Sequence, residues 1–309
     1  MRRLGVIAAL AGITAIVAIA VGIAASSGQA APPSNVISVL GVARVGGQDV
    51  LVDVLAVVPP GRDGASVAAQ VLREQGARPA QPSELSQSRY VTSGLVWDQF
   101  SDGAAGNNFV TQYYNPAGDV SGGGAAALQS SEATWSNVAT SSFAFQYGGL
   151  TSRCPSLVKE CSGPQRYDSN NDVGWKSIGG CCTLGVTWYS TSRDEADMAL
   201  NTNFSWHTGC SDVGGSYDTQ TVFTHENGHV VGLSHSNDPN AVMYAYYSGA
   251  RCQLAQDDMD GVSFLYPSGG PPSPTATPTA APPTPTPTAG GPAPTSTPCP
   301  AGWYRNGRC

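Results

Sequence analysis

The chain has 309 residues, of which 41% are hydrophobic and 12% are charged, and its formal net charge is −7. This length allows one or two domains with a sizeable core. An acidic surface repels phosphate backbones, so the charge argues against a nucleic-acid partner and fits a chain whose charge keeps it soluble.

The start of the chain, residues 1–30, has the composition of an export signal. Arg2 and Arg3 precede an apolar run, and small residues then lead to Ala30. This order is typical of a signal peptide with a cleavage site at its end. The apolar run is also long enough to span a bilayer, so an uncleaved signal anchor is the alternative. Both interpretations place the rest of the chain outside the cytosol.

Residues 31–90 are predicted to form a small separate unit. Two β-rich runs, at 36–45 and 49–58, flank a Gly-Gly pair, which is a hairpin signal, and residues 65–75 fit a short helix. The unit follows the export signal, where a propeptide would lie. A permanent N-terminal structural layer fits the same pattern.

The main domain is predicted over residues 91–267. Its elements are helices at 125–140, directly after Asp218 and at 256–265, with short strands between them that include residues 184–189. Leu128, Trp135 and Val138 share one face of the first helix, and Asp218 is a good N-cap for the second. The mixture predicts a mixed α/β or an α+β domain.

The end of the chain differs in composition from the rest. Residues 268–298 are dominated by Pro, Thr, Ala, Ser and Gly, which predicts an extended linker because such a segment cannot bury a core. Residues 299–309 are predicted to form a small disulfide loop. The loop either binds a wall polymer or another surface, or resists trimming by proteases.

The eight cysteines indicate disulfides, because an even number follows an export signal. Cys299 is predicted to pair with Cys309, since both are isolated from the others. The connectivity of the other six stays open: Cys154, Cys161, Cys181, Cys182, Cys210 and Cys252. Thiolate ligation of zinc is the competing interpretation, which the export context disfavours.

Three of the four histidines fall within eleven residues, in the segment HENGHVVGLSH. His225 and His229 are four residues apart, so on a helix both imidazoles lie on one face and can bind one ion. Gly232 can adopt a positive φ, end the helix and return the chain, so that His235 approaches from another direction. Three nitrogen ligands leave a fourth position open, which is the arrangement of a catalytic zinc site.

Glu226 follows the first histidine and is the candidate general base. Its carboxylate can accept a proton from the attacking water and pass it to the leaving amine. The competing interpretation of the segment is a helix whose histidines bind no metal.

These residues resemble the metzincin zinc peptidases, whose pattern is H-E-x-x-H-x-x-G-x-x-H followed by a methionine turn. Here Met243 supplies the methionine, and Ser236 directly after His235 resembles the matrixin, or matrix metalloproteinase, type. The resemblance implies a zincin fold, with a twisted mixed sheet, three helices and a zinc cleft between an upper and a lower part. It also implies that Met243 lies beneath the metal.

The resemblance further implies how substrate would bind. An extended peptide would be added along an edge strand, for which residues 184–189 are the candidate. The residue after the scissile bond would enter a pocket lined by Tyr244, Ala245, Tyr246 and Tyr247.

Several positions depart from the family pattern. No cysteine precedes Cys154, so a cysteine-based latency cannot operate through residues 31–90, and an inhibitory unit would need a carboxylate, a carbonyl or steric blockage. Only His207 remains for a second zinc, so one zinc ion is expected. Asn227 replaces an apolar residue of the family, without an explanation from the sequence.

Calcium is an open question at one loop, where Asp168, Asn170 and Asp172 offer oxygen ligands. An Asx-rich turn is the preferred interpretation of the same residues.

Together these features predict a secreted, monomeric zinc metalloendopeptidase that hydrolyses peptide bonds of extracellular proteins. Its partners would be protein or peptide substrates, with association to a cell surface or wall through the tail or an N-terminal anchor. The alternatives are a non-catalytic zinc-binding surface module and a zinc hydrolase of non-peptide amide bonds, such as those of cell walls.

Overall fold

The structure is a computed structural model, and it describes residues 35–81, 86–87, 91–93, 96–97, 109–157, 167–190 and 195–268. The predicted export signal, the linker beyond Ser268 and the Cys299–Cys309 loop lie outside these residues. All described residues belong to one compact unit. No helix among them is long and apolar enough to cross a membrane.

The described part of the chain contains four helices, and three of them lie in the predicted main domain. They are α1 (Gly64–Glu74), α2 (Gly124–Ser136), α3 (Thr219–Val231) and α4 (Gln256–Leu265). The prediction that the first main-domain helix reaches residue 140 was wrong, because Asn137 caps α2 and the chain turns there. Val138 still enters the core, at 6% exposure, from beyond the helix.

The strands of the described residues are short apart from the first two. They are β1 (Val36–Val45), β2 (Gln48–Val57), β3 (Ala77–Pro79), β4 (Ser86–Gln87), β5 (Val91–Thr92), β6 (Val110–Asn115), β7 (Phe145–Leu150), β8 (Asn171–Lys176), β9 (Thr183–Ser190), β10 (Ala196–Asn201), β11 (Trp206–His207), β12 (Tyr217–Asp218) and β13 (Tyr246–Tyr247).

One mixed sheet organises the fold, with the order β13-β1-β2-β9-β10-β8-β6-β7 and with β3 paired to β1. The strands β7, β6, β8 and β10 run parallel, whereas β9 runs antiparallel to β10. Two small sheets, β4-β5 and β11-β12, lie outside it. This α+β arrangement is the predicted fold class.

The N-terminal hairpin is part of the main sheet. Strand β2 pairs antiparallel with β9, from Val50 opposite Ser190 to Ala56 opposite Thr183. The hairpin and helix predicted within residues 31–90 are therefore present, but the prediction of a separate unit was wrong. The hairpin turn has positive φ at both Gly46 and Gly47, which a two-residue turn of the primed type requires.

The core is divided by the sheet into two layers. On one face, α2 and α3 cover residues such as Leu55 and Leu200. On the other face, α1 packs Val67 and Val71 against Val52 of β2 and its neighbours. The hairpin contributes apolar side chains to both layers because successive residues of a strand point to opposite faces.

The disulfides settle part of the open connectivity. Cys210 pairs with Cys252 and thereby joins the segment before α3 to the segment before α4. The neighbours Cys181 and Cys182 pair with each other directly before β9. Cys154 is also disulfide-bonded.

Candidate metal centre and cleft

Helix α3 presents the first two histidines, and its two ends form as predicted. Asp218 is the N-cap, and its carboxylate accepts hydrogen bonds from the backbone N–H of Thr221 at 2.7 Å and from the hydroxyl of the same residue at 2.8 Å. Gly232 ends the helix with a φ of 116°. A left-handed residue at this position reverses the chain and carries it toward His235.

The three imidazoles converge. Nε2 of His225 and Nε2 of His229 are 3.2 Å apart, and the ring of His235 lies 4.9 Å from that of His229, centroid to centroid. The Nδ1–H of His225 donates to the carbonyl of Val242 at 2.8 Å, and that of His229 donates to the carbonyl of Leu233 at 3.0 Å. Because a carbonyl can only accept, these bonds fix the tautomer that carries its proton on Nδ1 and its lone pair on Nε2, the atom that faces the other imidazoles.

A fourth ligand group comes from β2. Oδ1 of Asp53 lies 3.6 Å from Nε2 of His229 and 3.5 Å from Nε2 of His235. The hydroxyl of Ser38, on β1, lies 2.7 Å from both Asp53 oxygens and 2.5 Å from Nε2 of His235. The sequence prediction missed Asp53. The available signal was a lone carboxylate within an otherwise apolar strand.

The four groups fit a zinc ion. Ligands held about 2.0–2.1 Å from a tetrahedral zinc are separated by about 3.3–3.4 Å. Here the distance between Nε2 of His225 and Nε2 of His229, and those from Oδ1 of Asp53 to Nε2 of His229 and of His235, run from 3.2 to 3.6 Å. Burial lowers the pKa of His225 to about 4 and that of His229 to about 3, so both lone pairs are available at neutral pH. Burial raises the pKa of Asp53, but the neighbouring imidazoles outweigh it and bring the pKa to about 2.

Glu226 is completely buried beside this cluster. Its Oε2 accepts a hydrogen bond from the hydroxyl of Thr187, on β9, at 2.5 Å. Its Oε1 is buried without a hydrogen-bond partner among the described residues. Burial, and then the charge of Asp53, raise the pKa of Glu226 well above its ordinary value. One carboxylate oxygen is therefore oriented by β9 while the other is free to exchange a proton.

The turn that carries Met243 is held against α3 and α4. Met243 is 1% exposed and packs against Gly228, the residue before His229. The carboxylate of Asp258, in α4, accepts hydrogen bonds from the N–H of Val242 at 2.7 Å and of Met243 at 3.1 Å. The methionine thus lies under the helix that supplies two of the imidazoles.

A pocket opens beside His225. Its lining includes three of the four predicted residues, Tyr244, Tyr246 and Tyr247, together with Leu55 of β2. Ala245 does not line this pocket. Its carbonyl points instead to β1 and accepts a hydrogen bond from the N–H of Ser38 at 2.9 Å.

The structure shows why position 227 is an asparagine and not an apolar residue. Its side chain is fully buried and joins α3 to two other elements. Its Oδ1 accepts from the amide of Gln112 in β6 at 2.9 Å, and its Nδ2 donates to the hydroxyl of Ser131 in α2 at 2.8 Å. An apolar side chain at this position would leave both partners unsatisfied.

The candidate calcium loop is an Asx turn. Oδ1 of Asp168 accepts from the N–H of Asn170 at 2.9 Å, whereas both oxygens of Asp172 are bound by the guanidinium of Arg153 at 2.7–3.1 Å. Asn170 also donates its amide N–H to Asp168, so the oxygens of the two aspartates are paired with Asn170 and with Arg153. His207 also lies apart from the metal cluster, with its ring nitrogens on Ser216 and Ser211.

The comparisons with known proteins agree with this geometry. Residues 166–267 match the family model of the matrixins, a range that includes β9, α3, the Met243 turn and α4. Over this range, about a third of the chain, the protein is similar to the matrixins. Matrixins use a catalytic zinc ion, and the cluster of His225, His229 and His235 offers the ligands for it.

Curated relatives support the same family. Karilysin from Tannerella forsythia is 31% identical over 140 residues, which are 45% of this chain and 28% of karilysin. Interstitial collagenase from Oryctolagus cuniculus is 46% identical over 66 residues, 21% of this chain and 14% of the collagenase. Matrix metalloproteinase-25 from Homo sapiens is 36% identical over 88 residues, 27% of this chain and 15% of the human protein. The matches thus span less than a third of each relative.

Proposed function

We propose that the protein is a secreted zinc-dependent endopeptidase that hydrolyses peptide bonds of extracellular proteins. The observation that carries the proposal is the convergence of three imidazole Nε2 atoms beside the buried carboxyl of Glu226, whose Oε1 has no partner among the described residues. A binding module would have no use for a buried carboxyl in this place.

The residues of the site have different roles in hydrolysis. His225, His229 and His235 would hold zinc, which lowers the pKa of water and polarises the scissile carbonyl. Glu226 accepts the proton of the attacking water and delivers it to the leaving amine. Thr187 orients Glu226 through its hydrogen bond to Oε2.

Substrate recognition follows from the walls of the cleft. Strand β9 carries Thr187 but pairs with both β2 and β10, so the prediction that residues 184–189 form an edge strand was wrong. An extended peptide would have to take the place of β2 beside β9. The side chain after the scissile bond would enter the pocket lined by Tyr244, Tyr246 and Tyr247. The acceptable substrates are therefore unfolded or flexible protein segments.

The compartment and partners follow from composition. The apolar start of the chain, with Arg2 and Arg3 before it, and the disulfide Cys210–Cys252 support secretion into an oxidising environment. A net charge of −7 fits a soluble monomer that does not bind nucleic acid.

Glu226→Ala tests the proposal directly. The variant should bind as much zinc as the wild type, measured by elemental mass spectrometry, and lose at least about a thousandfold in cleavage of fluorescent casein. Both proteins are assayed intact and after limited trypsin treatment. Glu74→Ala, on the exposed side of α1, is the matched control and should cleave normally. Normal turnover by zinc-loaded Glu226→Ala would exclude the assigned role.

A further inference from the structure

Arg251 lines the pocket beside His225 and gives it a permanent positive charge. Tyr244, Tyr246 and Tyr247 line the same pocket, the tyrosine pocket. Among the described residues that line it, none carries a carboxylate and no other is a lysine or an arginine. The pocket is therefore electropositive, although the chain as a whole is acidic.

The guanidinium of Arg251 is held by neutral groups. Its Nη1 donates to the carbonyl of Ala241 at 2.5 Å, and its Nη2 donates to the hydroxyl of Ser248 at 2.8 Å. The backbone N–H of Arg251 donates to the hydroxyl of Thr221, on α3, at 2.8 Å. These bonds fix Arg251 on the wall of the pocket but do not balance its charge. They use two of the five guanidinium N–H groups, so the others can bind a ligand.

The carboxylates of the neighbouring segments have other partners. Asp212 accepts a hydrogen bond from the N–H of Ala250 at 2.7 Å. Asp218 accepts hydrogen bonds from the N–H and the hydroxyl of Thr221 at the start of α3. Within the part of the chain that the structure describes, no carboxylate forms an ion pair with Arg251.

The other basic side chains of this region are compensated. Between residues 109 and 268 the structure describes three Lys or Arg side chains. Arg153 binds Asp172 at 2.7 Å, and Lys176 lies over the ring of Trp188 at 5.5 Å. Arg251 is half-buried and, among the described residues, has neither kind of partner. A half-buried cation without a counter-ion is unfavourable, so an anion that entered the pocket would be bound.

We propose that the tyrosine pocket accepts an acidic side chain, so that the enzyme cleaves peptide bonds that precede glutamate or aspartate. The substrate carboxylate accepts hydrogen bonds from the free N–H groups of Arg251, while its methylene groups contact Val222 and Val242 of the lining. The inference rests on the proposed function, because it names the substrate class of the same site.

The same charge excludes two other classes of side chain. A lysine or arginine of the substrate would bring a second cation next to Arg251 without an anion between them. A long apolar side chain would remove water from the guanidinium and offer it no hydrogen-bond acceptor in return. The tyrosine rings alone would admit an aromatic or aliphatic side chain, so Arg251 is the residue that decides specificity.

Digestion of a peptide library identifies the residue that follows the scissile bond. The zinc-loaded wild type is used intact and after limited trypsin treatment, with the trypsin then inhibited, and the new N-termini are identified by mass spectrometry. Glutamate and aspartate should be enriched at the first position of these N-termini, and lysine and arginine depleted. Enrichment of apolar residues without the acidic ones would overturn the inference.

Matched peptides measure the contribution of Arg251. They differ only in glutamate or glutamine after the scissile bond, and wild-type kcat/KM should be at least about tenfold higher for glutamate. Arg251→Gln should bring this ratio to about one, and Arg251→Glu should favour lysine over glutamate. Arg73→Gln, at an exposed position of α1, removes the same charge away from the pocket and should keep the wild-type ratio.

The outcomes separate the inference from the proposed function. A wild type that cleaves no peptide would defeat both. Equal wild-type rates on the two peptides, or an unchanged ratio in Arg251→Gln, would overturn the acidic specificity alone. If neither Arg251→Gln nor Arg251→Glu folds by circular dichroism, Arg251→Lys decides. It keeps the charge but not the planar pair of donors, so it should still favour glutamate, with the ratio lowered at least about threefold, whereas an unchanged ratio would count against the inference.

Discussion

Gly228 lies directly against the sulfur of Met243, so closely that a β-carbon at this position would overlap it. The same β-carbon would stand 2.8 Å from Cζ2 of Trp135. The contact fixes the height of α3 above the methionine turn, and with it the position of His229.

Gly228→Ala should therefore destabilise the fold by about 1–3 kcal/mol, because neither Met243 nor Trp135 can retreat from a packed core. It should also weaken zinc binding, since relief of the overlap displaces α3. Thermal unfolding and zinc titration measure the two effects. Gly179→Ala is the control: nothing lies within 4 Å of its added β-carbon, and its stability should change by less than about 0.5 kcal/mol.

Asn227→Leu should cost about 2–4 kcal/mol of stability, because it strands the amide of Gln112 and the hydroxyl of Ser131 in the core. Gln112→Leu should lower the stability much less in the Asn227→Leu variant than in the wild type, because the hydrogen-bond partner of Gln112 is already absent. Chemical denaturation of the four proteins in the cycle gives the coupling, which should exceed about 1 kcal/mol. As a control, Gln129→Leu changes an exposed residue and should be additive with Asn227→Leu. If Gln112→Leu is also strictly additive with Asn227→Leu, the hydrogen bond between Gln112 and Asn227 does not stabilise the fold.

Glu132 on α2 is 4% exposed, and burial raises its pKa from 4.5 to about 8. The folded state therefore holds this proton more tightly than the unfolded state does. The contribution of Glu132 to stability should therefore be largest below about pH 4.5 and should fall as the pH rises from 4.5 to 8. Above about pH 8 it should stay low.

Glu132→Gln should remove that dependence and gain a stability on the order of a few kcal/mol at pH 9, with little change at pH 5. Denaturation at the two pH values measures the difference. Glu74→Gln, on the exposed face of α1, should gain nothing at either pH. An equal gain at both pH values would rule out protonation as the cause.

Local signals in the sequence were sufficient for the helices of the site. Asp218 predicts the start of α3 because its side chain can accept the first free N–H groups, and Gly232 predicts the end because it tolerates a positive φ. The spacing of His225, Glu226, His229 and His235 predicts the metal cluster, since it depends on helix geometry and one turn. These features involve residues close together in the chain.

The features of the metal centre that were missed involve residues far apart in the chain. Nothing near Asp53 indicates that β2 pairs with β9, because strand pairing is decided by the whole sheet and not by the segment. The burial of Asn227 likewise depends on Gln112 and Ser131, which come from other elements. The local pattern could predict the hairpin but not its place in the fold.

The position of β1 and β2 inside the main sheet also bears on how the protein folds. Contacts such as Val50 with Ser190 join distant parts of the chain, and such contacts slow folding. The barrier to unfolding would then decide how long the folded protein persists.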